Sequence, residues 1–150
     1  MDSNTLAVIF KIANAVVIPQ WLAMALCPKS RYTKLLVDSF ALPLCLAVLY
    51  AVIVILSMLY PSGSGGSFSS LQGVKALFQN DTALLAGWVH YLAFDLLAGR
   101  YIYKQAEKLN ANIIITGICL FFTLMFGPVG FLLFSIYSYL LRRKALGVSN

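Results

Sequence analysis

Charged residues are scarce in this sequence. Only 11% of its 150 residues are Asp, Glu, Lys or Arg, whereas soluble globular domains carry about 25%. Apolar residues make up 61% of the chain, and they fall in long blocks, which is typical of membrane helices rather than of one large soluble core. The composition therefore excludes an ordinary soluble domain and predicts a polytopic α-helical membrane protein.

Residues that bind metals or form disulfides are also few. The three cysteines, Cys27, Cys45 and Cys119, lie in or beside apolar segments and form no CxxC motif. His90 is the only histidine, so no Cys/His spacing suits zinc. We interpret the cysteines as small buried apolar residues, and we expect neither a metal nor another cofactor.

Acidic residues are fewer than basic ones, five against eleven, which gives a net charge of +6. Most basic residues lie at the ends of apolar segments, where such charges set topology and meet lipid headgroups. Because no basic and aromatic surface exists apart from these ends, nucleic acid is not expected as a partner. The basic residues form three groups: Lys29, Arg31 and Lys34; Arg100, Lys104 and Lys108; and Arg142, Arg143 and Lys144.

Four apolar segments are long enough to cross a bilayer, which needs about 20 helical residues. The predicted spans are about 6–27, 35–59, 83–103 and 113–141. We therefore expect residues 1–150 to form a single domain, an all-α integral membrane bundle of four transmembrane helices with short loops. An N-terminus outside the membrane is favoured, which leaves the first two basic groups inside and the third outside.

The connection between the second and third spans is polar. Its SGSGGSFSS sequence, at residues 62–70, predicts a flexible loop. Residues 71–78 then return to an amphipathic pattern. This pattern fits either a short helix on the membrane surface or a continuation of the loop.

The fourth segment is longer than one crossing requires, and the sequence GPVG at 127–130 interrupts it. A stripe of small and polar residues follows one face of this segment at 100° per residue. Such a stripe lets a neighbouring helix approach closely, or it faces a bound ligand. A re-entrant segment that turns at GPVG would place all three basic groups together, and this alternative stays open. The stripe comprises Thr116, Cys119, Thr123, Gly127, Gly130 and Tyr137.

The third segment carries the sequence GWVHYLAFDLLAGR at 87–100. It places His90 and Asp95 in an apolar run, where a central Asp costs roughly 2.5–3.5 kcal/mol on insertion scales. The two residues are five apart, so they point about 140° apart on a regular helix, and each needs partners from other helices. A functional role is favoured over interhelical hydrogen bonding, because two ionisable groups at membrane depth are costly.

Other polar and aromatic residues are candidates for a binding site. Asn14 and Trp21 lie seven residues apart, hence on one face of the first segment. Asn14 is either an interhelical hydrogen-bonding group, which is favoured, or part of a site wall. Trp88, Tyr91 and Arg100 either anchor their helix at an interface or contact a ligand.

These residues carry a resemblance to a known family. The run GWVHYLAFDL at 87–96, with Gly99-Arg100 after it and FGPVG at 126–130, resembles the ABA-deficient-four family of small membrane proteins. Ala13-Asn14, Pro19, Trp21, Pro28 and Phe68-x-x-Leu71 are also similar, so the whole match touches all four segments. The plant member of this family is tied to neoxanthin formation.

The resemblance implies an isomerisation of an epoxycarotenoid, in which an epoxide opens while a polyene carbon loses its proton to form an allene. This chemistry needs a general acid at the epoxide oxygen and a base at the carbon, but no redox cofactor. The resemblance points to Asp95 as the acid and His90 as the base, and the reverse assignment stays open. The candidate substrate-binding residues are Asn14, Trp21, Trp88, Tyr91, Arg100, Thr123, Gly127 and Pro128.

The sequence thus predicts a membrane-embedded isomerase of a carotenoid or related isoprenoid lipid. Two other functions stay open: a pigment-, lipid- or haem-binding protein without turnover, and a small transporter, against which the lack of inverted repeats counts. The expected partners are the lipid bilayer and a hydrophobic isoprenoid or carotenoid ligand, and a homo-oligomer is left open. Because no transit sequence precedes the first segment, we expect a bacterial inner membrane, or a plastid membrane for a processed plant protein.

Overall fold

The computed structural model describes residues 2–60 and 66–146, and in these ranges the secondary structure is helical. The all-α prediction is therefore confirmed. Residues 62–65 of the predicted loop lie outside the described residues. The described helices are α1 (Ser3–Leu26), α2 (Arg31–Asp38), α3 (Ala41–Leu59), α4 (Leu71–Leu77), α5 (Asp81–Lys108), α6 (Ile113–Phe126) and α7 (Pro128–Ala145).

Among the described residues, three helical stretches are long and apolar enough to cross a membrane: Ser3–Leu26, Arg31–Leu59 and Asp81–Lys108. They contain most of the first three predicted spans. The apolar helix α6 has 14 residues, fewer than the ~20 that a crossing needs. The short helix α4 shows that residues 71–77 are not a continuation of the loop.

The fourth predicted segment, residues 113–141, is two helices that fold back on each other. Across the 25 residues from Asn112 to Tyr137, a continuous helix would rise about 37 Å. Instead, the Asn112 backbone N–H donates a hydrogen bond to Tyr137 Oη at 2.9 Å. The prediction of one continuous segment is therefore wrong, and α6 and α7 form a helical hairpin.

The GPVG sequence explains why the chain turns here. Gly127 ends α6 with φ of 37° and ψ of −89°, a conformation that favours glycine. Pro128 is at the start of α7, where a missing backbone N–H removes no helical hydrogen bond. Gly130 lies directly against the α6 backbone at Thr123 and Cys119, where a side chain would overlap it. The small residues of the predicted stripe thus let the second half of the segment pack on the first.

Replacing Gly130 with Ala is expected to destabilise the protein by about 1–3 kcal/mol, the usual effect of overpacking. The added Cβ would overlap the Thr123 backbone, which cannot move without disturbing α6. Gly117→Ala is the matched control in α6, because its Cβ would meet Ala25 O at 3.8 Å, an ordinary contact. Thermal unfolding of both variants in one detergent measures the difference, and equal stability would contradict the packed hairpin.

The chain divides into two compact units. The first comprises Met1–Val16 and Leu42–Ala93, and the second comprises Val17–Ala41 and Phe94–Asn150. Helices α1 and α5 contribute residues to both units. The hairpin and all three basic groups belong to the second unit.

Polar contacts gather the three basic groups at one end of the second unit. Lys34 forms an ion pair with Glu107, which links the first group to the end of α5. Arg142 Nη2 donates a hydrogen bond to Gln105 Oε1 at 3.2 Å, which links the third group to the same helix end. The prediction that the third group lies on the opposite side from the first two is therefore wrong. The physical reason is the hairpin, which returns the chain to the end from which α6 started.

Candidate functional site

Asp95 is a buried carboxylic acid near the middle of α5, with 8% of its surface exposed. Its carboxyl group lies against Gly127, where a Cβ atom would overlap it. Gly127 therefore makes room for the carboxyl group at the start of α7. The first turn of a helix presents backbone N–H groups without intrahelical partners and carries a partial positive charge. The turn thus places hydrogen-bond donors beside a buried acid.

Gln20 of α1 lies in the same unit, and its side chain is fully buried. Neither atom of its amide group has a hydrogen-bond partner among the described residues. An amide buried in this way costs about 1–3 kcal/mol by mutational data, so it calls for an explanation. Sequence reasoning missed Gln20. The available signal was an amide between Pro19 and Trp21 in an otherwise apolar segment.

Trp21 of α1 packs against Gly99 of α5 within the second unit. The six-membered ring of Trp21 fills the space that a side chain on Gly99 would take. Gln20 is next to Trp21 on α1, and Asp95 is one turn before Gly99 on α5. Gln20 and Asp95 form the core of what we call the Asp95 cluster: Gln20, Trp21, Asp95, Gly99 and Gly127.

Thr123 and Pro128 support the turn beside the Asp95 cluster. The Thr123 side chain is fully buried, and its Oγ1 donates a hydrogen bond to Cys119 O at 2.8 Å. The Thr123 carbonyl accepts a hydrogen bond of 2.8 Å from Gly127 N. Thr123 therefore fixes the end of α6 through both its side chain and its backbone, while Pro128 begins α7.

Arg100 stabilises the break between α2 and α3. Phe40 has φ of 57°, which interrupts the helical path, and Ala41 N donates to Ser39 Oγ at 3.4 Å. The Val37 carbonyl, in the last turn of α2, accepts a hydrogen bond of 2.7 Å from Arg100 Nε. The guanidinium carbon also lies 4.7 Å from the centroid of the Phe40 ring, a cation–π distance. Arg100 thus satisfies a helix-end carbonyl and holds a left-handed residue in place.

The first unit contains the remaining predicted residues. Trp88 Nε1 donates a hydrogen bond to Asn14 Oδ1 at 3.2 Å, and Asn14 Nδ2 donates to Phe10 O at 2.7 Å. The Trp88 ring lies 5.5 Å from both the Phe10 ring and the Tyr91 ring, between centroids. The hydrogen bond joins α1 to α5, which is the interhelical role favoured for Asn14.

A double-mutant cycle on Asn14→Leu and Trp88→Phe is expected to give a coupling of about 0.6 kcal/mol, and at most about 1.7 kcal/mol, as for other hydrogen bonds between membrane helices. Each single change removes one partner of the Trp88–Asn14 bond and keeps a side chain of similar size. Unfolding in detergent of the wild type, both single variants and the double variant measures this coupling. Strictly additive losses would mean that the bond does not stabilise the first unit.

His90 also belongs to the first unit, and its side chain is exposed. Its ring centroid is 5.4 Å from that of Tyr50 on α3. The neighbouring Val89 is fully buried, so α5 presents the imidazole on the surface of this unit. Within residues 2–60 and 66–146, no three His, Cys, Asp or Glu side chains are grouped so as to hold a metal ion.

The polar groups of the Asp95 cluster determine what chemistry it can perform. It combines a carboxyl group, a buried amide with unused hydrogen-bonding capacity and the start of a helix. The cluster also contains the aromatic ring of Trp21, and sites for hydrophobic ligands usually combine apolar and aromatic side chains with a few polar groups. Such a set can bind an oxygen atom of the ligand and exchange a proton with it.

Comparisons with known proteins agree with the sequence resemblance. A family model described as ABA DEFICIENT 4-like matches residues 8–134, a range that includes every predicted site residue. Protein ABA DEFICIENT 4, chloroplastic, from Arabidopsis thaliana is 28% identical over 127 residues, which cover 81% of this chain and 56% of the relative. The chain thus spans about half the length of this curated relative. No solved structure matches the chain.

Proposed function

The chain belongs to the ABA DEFICIENT 4-like family, and from this membership we propose that it is a membrane-embedded isomerase of a carotenoid or related isoprenoid lipid. The observation that supports this function best is the Asp95 cluster, in which a buried carboxyl group lies against the turn of the hairpin. Ionisable residues at membrane depth are costly and mark functional sites more often than structural ones.

The proposed topology has three crossings and one re-entrant hairpin. Helix α6 has 14 residues, so it extends about 21 Å, less than the ~30 Å of a hydrocarbon core. Its turn at Gly127 would then lie inside the membrane, next to Asp95 at the middle of α5. Irregular backbone at membrane depth occurs where it is buried in protein or lines a cavity, and broken helices of this kind form substrate sites in transporters.

In the proposed reaction, protonated Asp95 donates its proton to the epoxide oxygen. The carbon–oxygen bond breaks, its electron pair stays on oxygen, and a hydroxyl group forms. A base removes a proton from the polyene carbon, and the electron pair of that C–H bond becomes the new double bond of the allene. The proton taken by the base replaces the one that Asp95 gave, so the product is an isomer of the substrate. The family resemblance makes His90, which belongs to the first unit, the candidate for this base.

The remaining residues of the cluster would position the ligand. Gln20 presents an amide that can donate to or accept from a ligand oxygen, and its burial makes that hydrogen bond strong. The Trp21 ring, which lies over Gly99, provides an apolar wall. Exclusion of water would protect the cationic intermediate that forms when the epoxide opens.

The test is incubation of the purified protein in liposomes with violaxanthin, an epoxycarotenoid, and in parallel with the isoprenoid extract of the native host. The expected result is a product with the mass of its substrate and a changed absorption spectrum, separated by chromatography. A carotenoid that remains bound near one per chain but unchanged would instead favour a binding protein without turnover. If no isoprenoid is converted or retained, the proposed function is wrong.

A further inference from the structure

A cavity of about 380 Å³ lies at the basic end of the second unit. The end of α1, the start of α2, the end of α5 and the start of α6 surround it. Its lining combines apolar residues, among them Met24, Ala106 and Ile113, with the charged residues Lys29, Lys34 and Glu107. This combination of apolar and charged side chains fits an amphiphilic ligand.

Most polar groups of this cavity already have partners within the protein. Tyr103 Oη donates a hydrogen bond to Pro28 O at 2.6 Å, and Thr116 Oγ1 donates to Asn112 O at 2.9 Å. The first bond connects the end of α5 to the turn after α1, and the second lies within the start of α6.

The two lysines are the polar groups of this cavity that can still bind an anionic ligand. The Lys34–Glu107 ion pair is about half exposed on each side, so its net stabilisation is small and Lys34 can share its charge with a ligand. Lys29 also lines the cavity, and it forms no ion pair among the described residues. The cavity therefore carries an excess of positive charge that favours an anion.

The surface around the cavity also favours a negatively charged ligand. The basic end contains the nine Lys and Arg residues of the three basic groups, with Asp38 and Glu107 as its acidic residues. The amphipathic helix α2 exposes Tyr32 and Leu35 beside the cavity, with 85% and 60% of their surfaces accessible. Exposed aromatic and aliphatic side chains next to basic residues are typical of a helix that lies among lipid headgroups.

We propose that this cavity binds the phosphate group of an anionic phospholipid, held by Lys29 and Lys34. The glycerol region of the lipid would pack on Met24, Ala106 and Ile113. The charge and exposed surface of the basic end fit a leaflet rich in anionic lipid. This site requires the membrane insertion proposed above, but it does not require isomerase activity.

The test uses native mass spectrometry of the full chain in detergent with phosphatidylglycerol, phosphatidylcholine or glycerol phosphate. The Lys29→Gln, Lys34→Gln double variant is expected to retain roughly 10- to 30-fold less phosphatidylglycerol, since two cationic contacts are lost. The Lys11→Gln, Lys75→Gln double variant removes the same charge from the first unit and is expected to behave like the wild type.

Three outcomes would overturn the proposal. Equal retention of phosphatidylglycerol and phosphatidylcholine would show that charge does not select the ligand. Equal loss in both double variants would show that only total charge matters. Displacement of the lipid by glycerol phosphate at low concentration would identify a site for a soluble anion instead. Carotenoid conversion, measured on the same variants, is expected to stay unchanged and so separates this proposal from the proposed isomerase.

Discussion

The Asp95→Asn variant is expected to convert its carotenoid substrate about 10²- to 10⁴-fold more slowly than the wild type, the range for loss of a general acid. Asn has nearly the same shape as Asp, so the contact with Gly127 at the hairpin turn is preserved. An amide cannot supply the proton that the epoxide oxygen needs. The variant is therefore expected to retain the substrate while failing to convert it.

The Asp81→Asn variant is the matched control for this experiment. Asp81 is exposed in the first turn of α5, the helix that also carries Asp95. The cap of this helix is Asn80, whose Oδ1 accepts hydrogen bonds from Thr82 N and Ala83 N, so the change removes no cap. Both changes replace a carboxyl group with an amide on the same helix. Wild-type activity in Asp95→Asn would contradict the proposed acid. Loss of folding in Asp95→Asn but not in Asp81→Asn would assign Asp95 a structural role instead.

The helical nature of the chain was predictable because its apolar residues fall in blocks of membrane length, and α1, α3 and α5 form within those blocks. The hairpin was only an alternative, because GPVG could either interrupt one long span or turn a re-entrant segment. Residues 113–141 contain no charged residue, so their composition fits one long helix as well as two short ones. Tertiary contacts decide between them: Gly130 packs on Thr123, and Tyr137 accepts a hydrogen bond from Asn112.

In the candidate site, too, some residues could be predicted from the sequence and others could not. Asp95 stood out in the sequence because a carboxylate in an apolar run is rare, and the structure places it beside Gly127. The role of Arg100 was hidden, because it depends on the carbonyl that the left-handed Phe40 leaves at the end of α2. Gln20 was missed because an amide in a membrane segment usually bonds to another helix. Only the packed structure shows that its amide has no such partner among the described residues.

The Gln20→Met variant is expected to be more stable than the wild type by about 1–3 kcal/mol when no ligand is bound. Met has a similar volume and shape, so it fills the same space without a polar group that lacks a partner. The same change is expected to weaken carotenoid retention by roughly tenfold, because it removes a buried hydrogen bond to the ligand. A gain in stability with a loss of binding is the result that distinguishes a ligand-binding residue from a structural one.

Thermal unfolding and carotenoid retention, measured on the same preparations, provide both values. The control is Gln72→Met, which makes the same chemical change at an exposed position of α4 and is expected to alter neither value. A loss of stability in Gln20→Met would mean that the amide supports the fold. Unchanged retention would remove Gln20 from the site but leave the role of Asp95 intact, since the carboxyl group acts on the reaction rather than on binding. Gln20→Met therefore tests whether the Asp95 cluster binds the ligand, and Asp95→Asn tests whether it transfers a proton to the ligand.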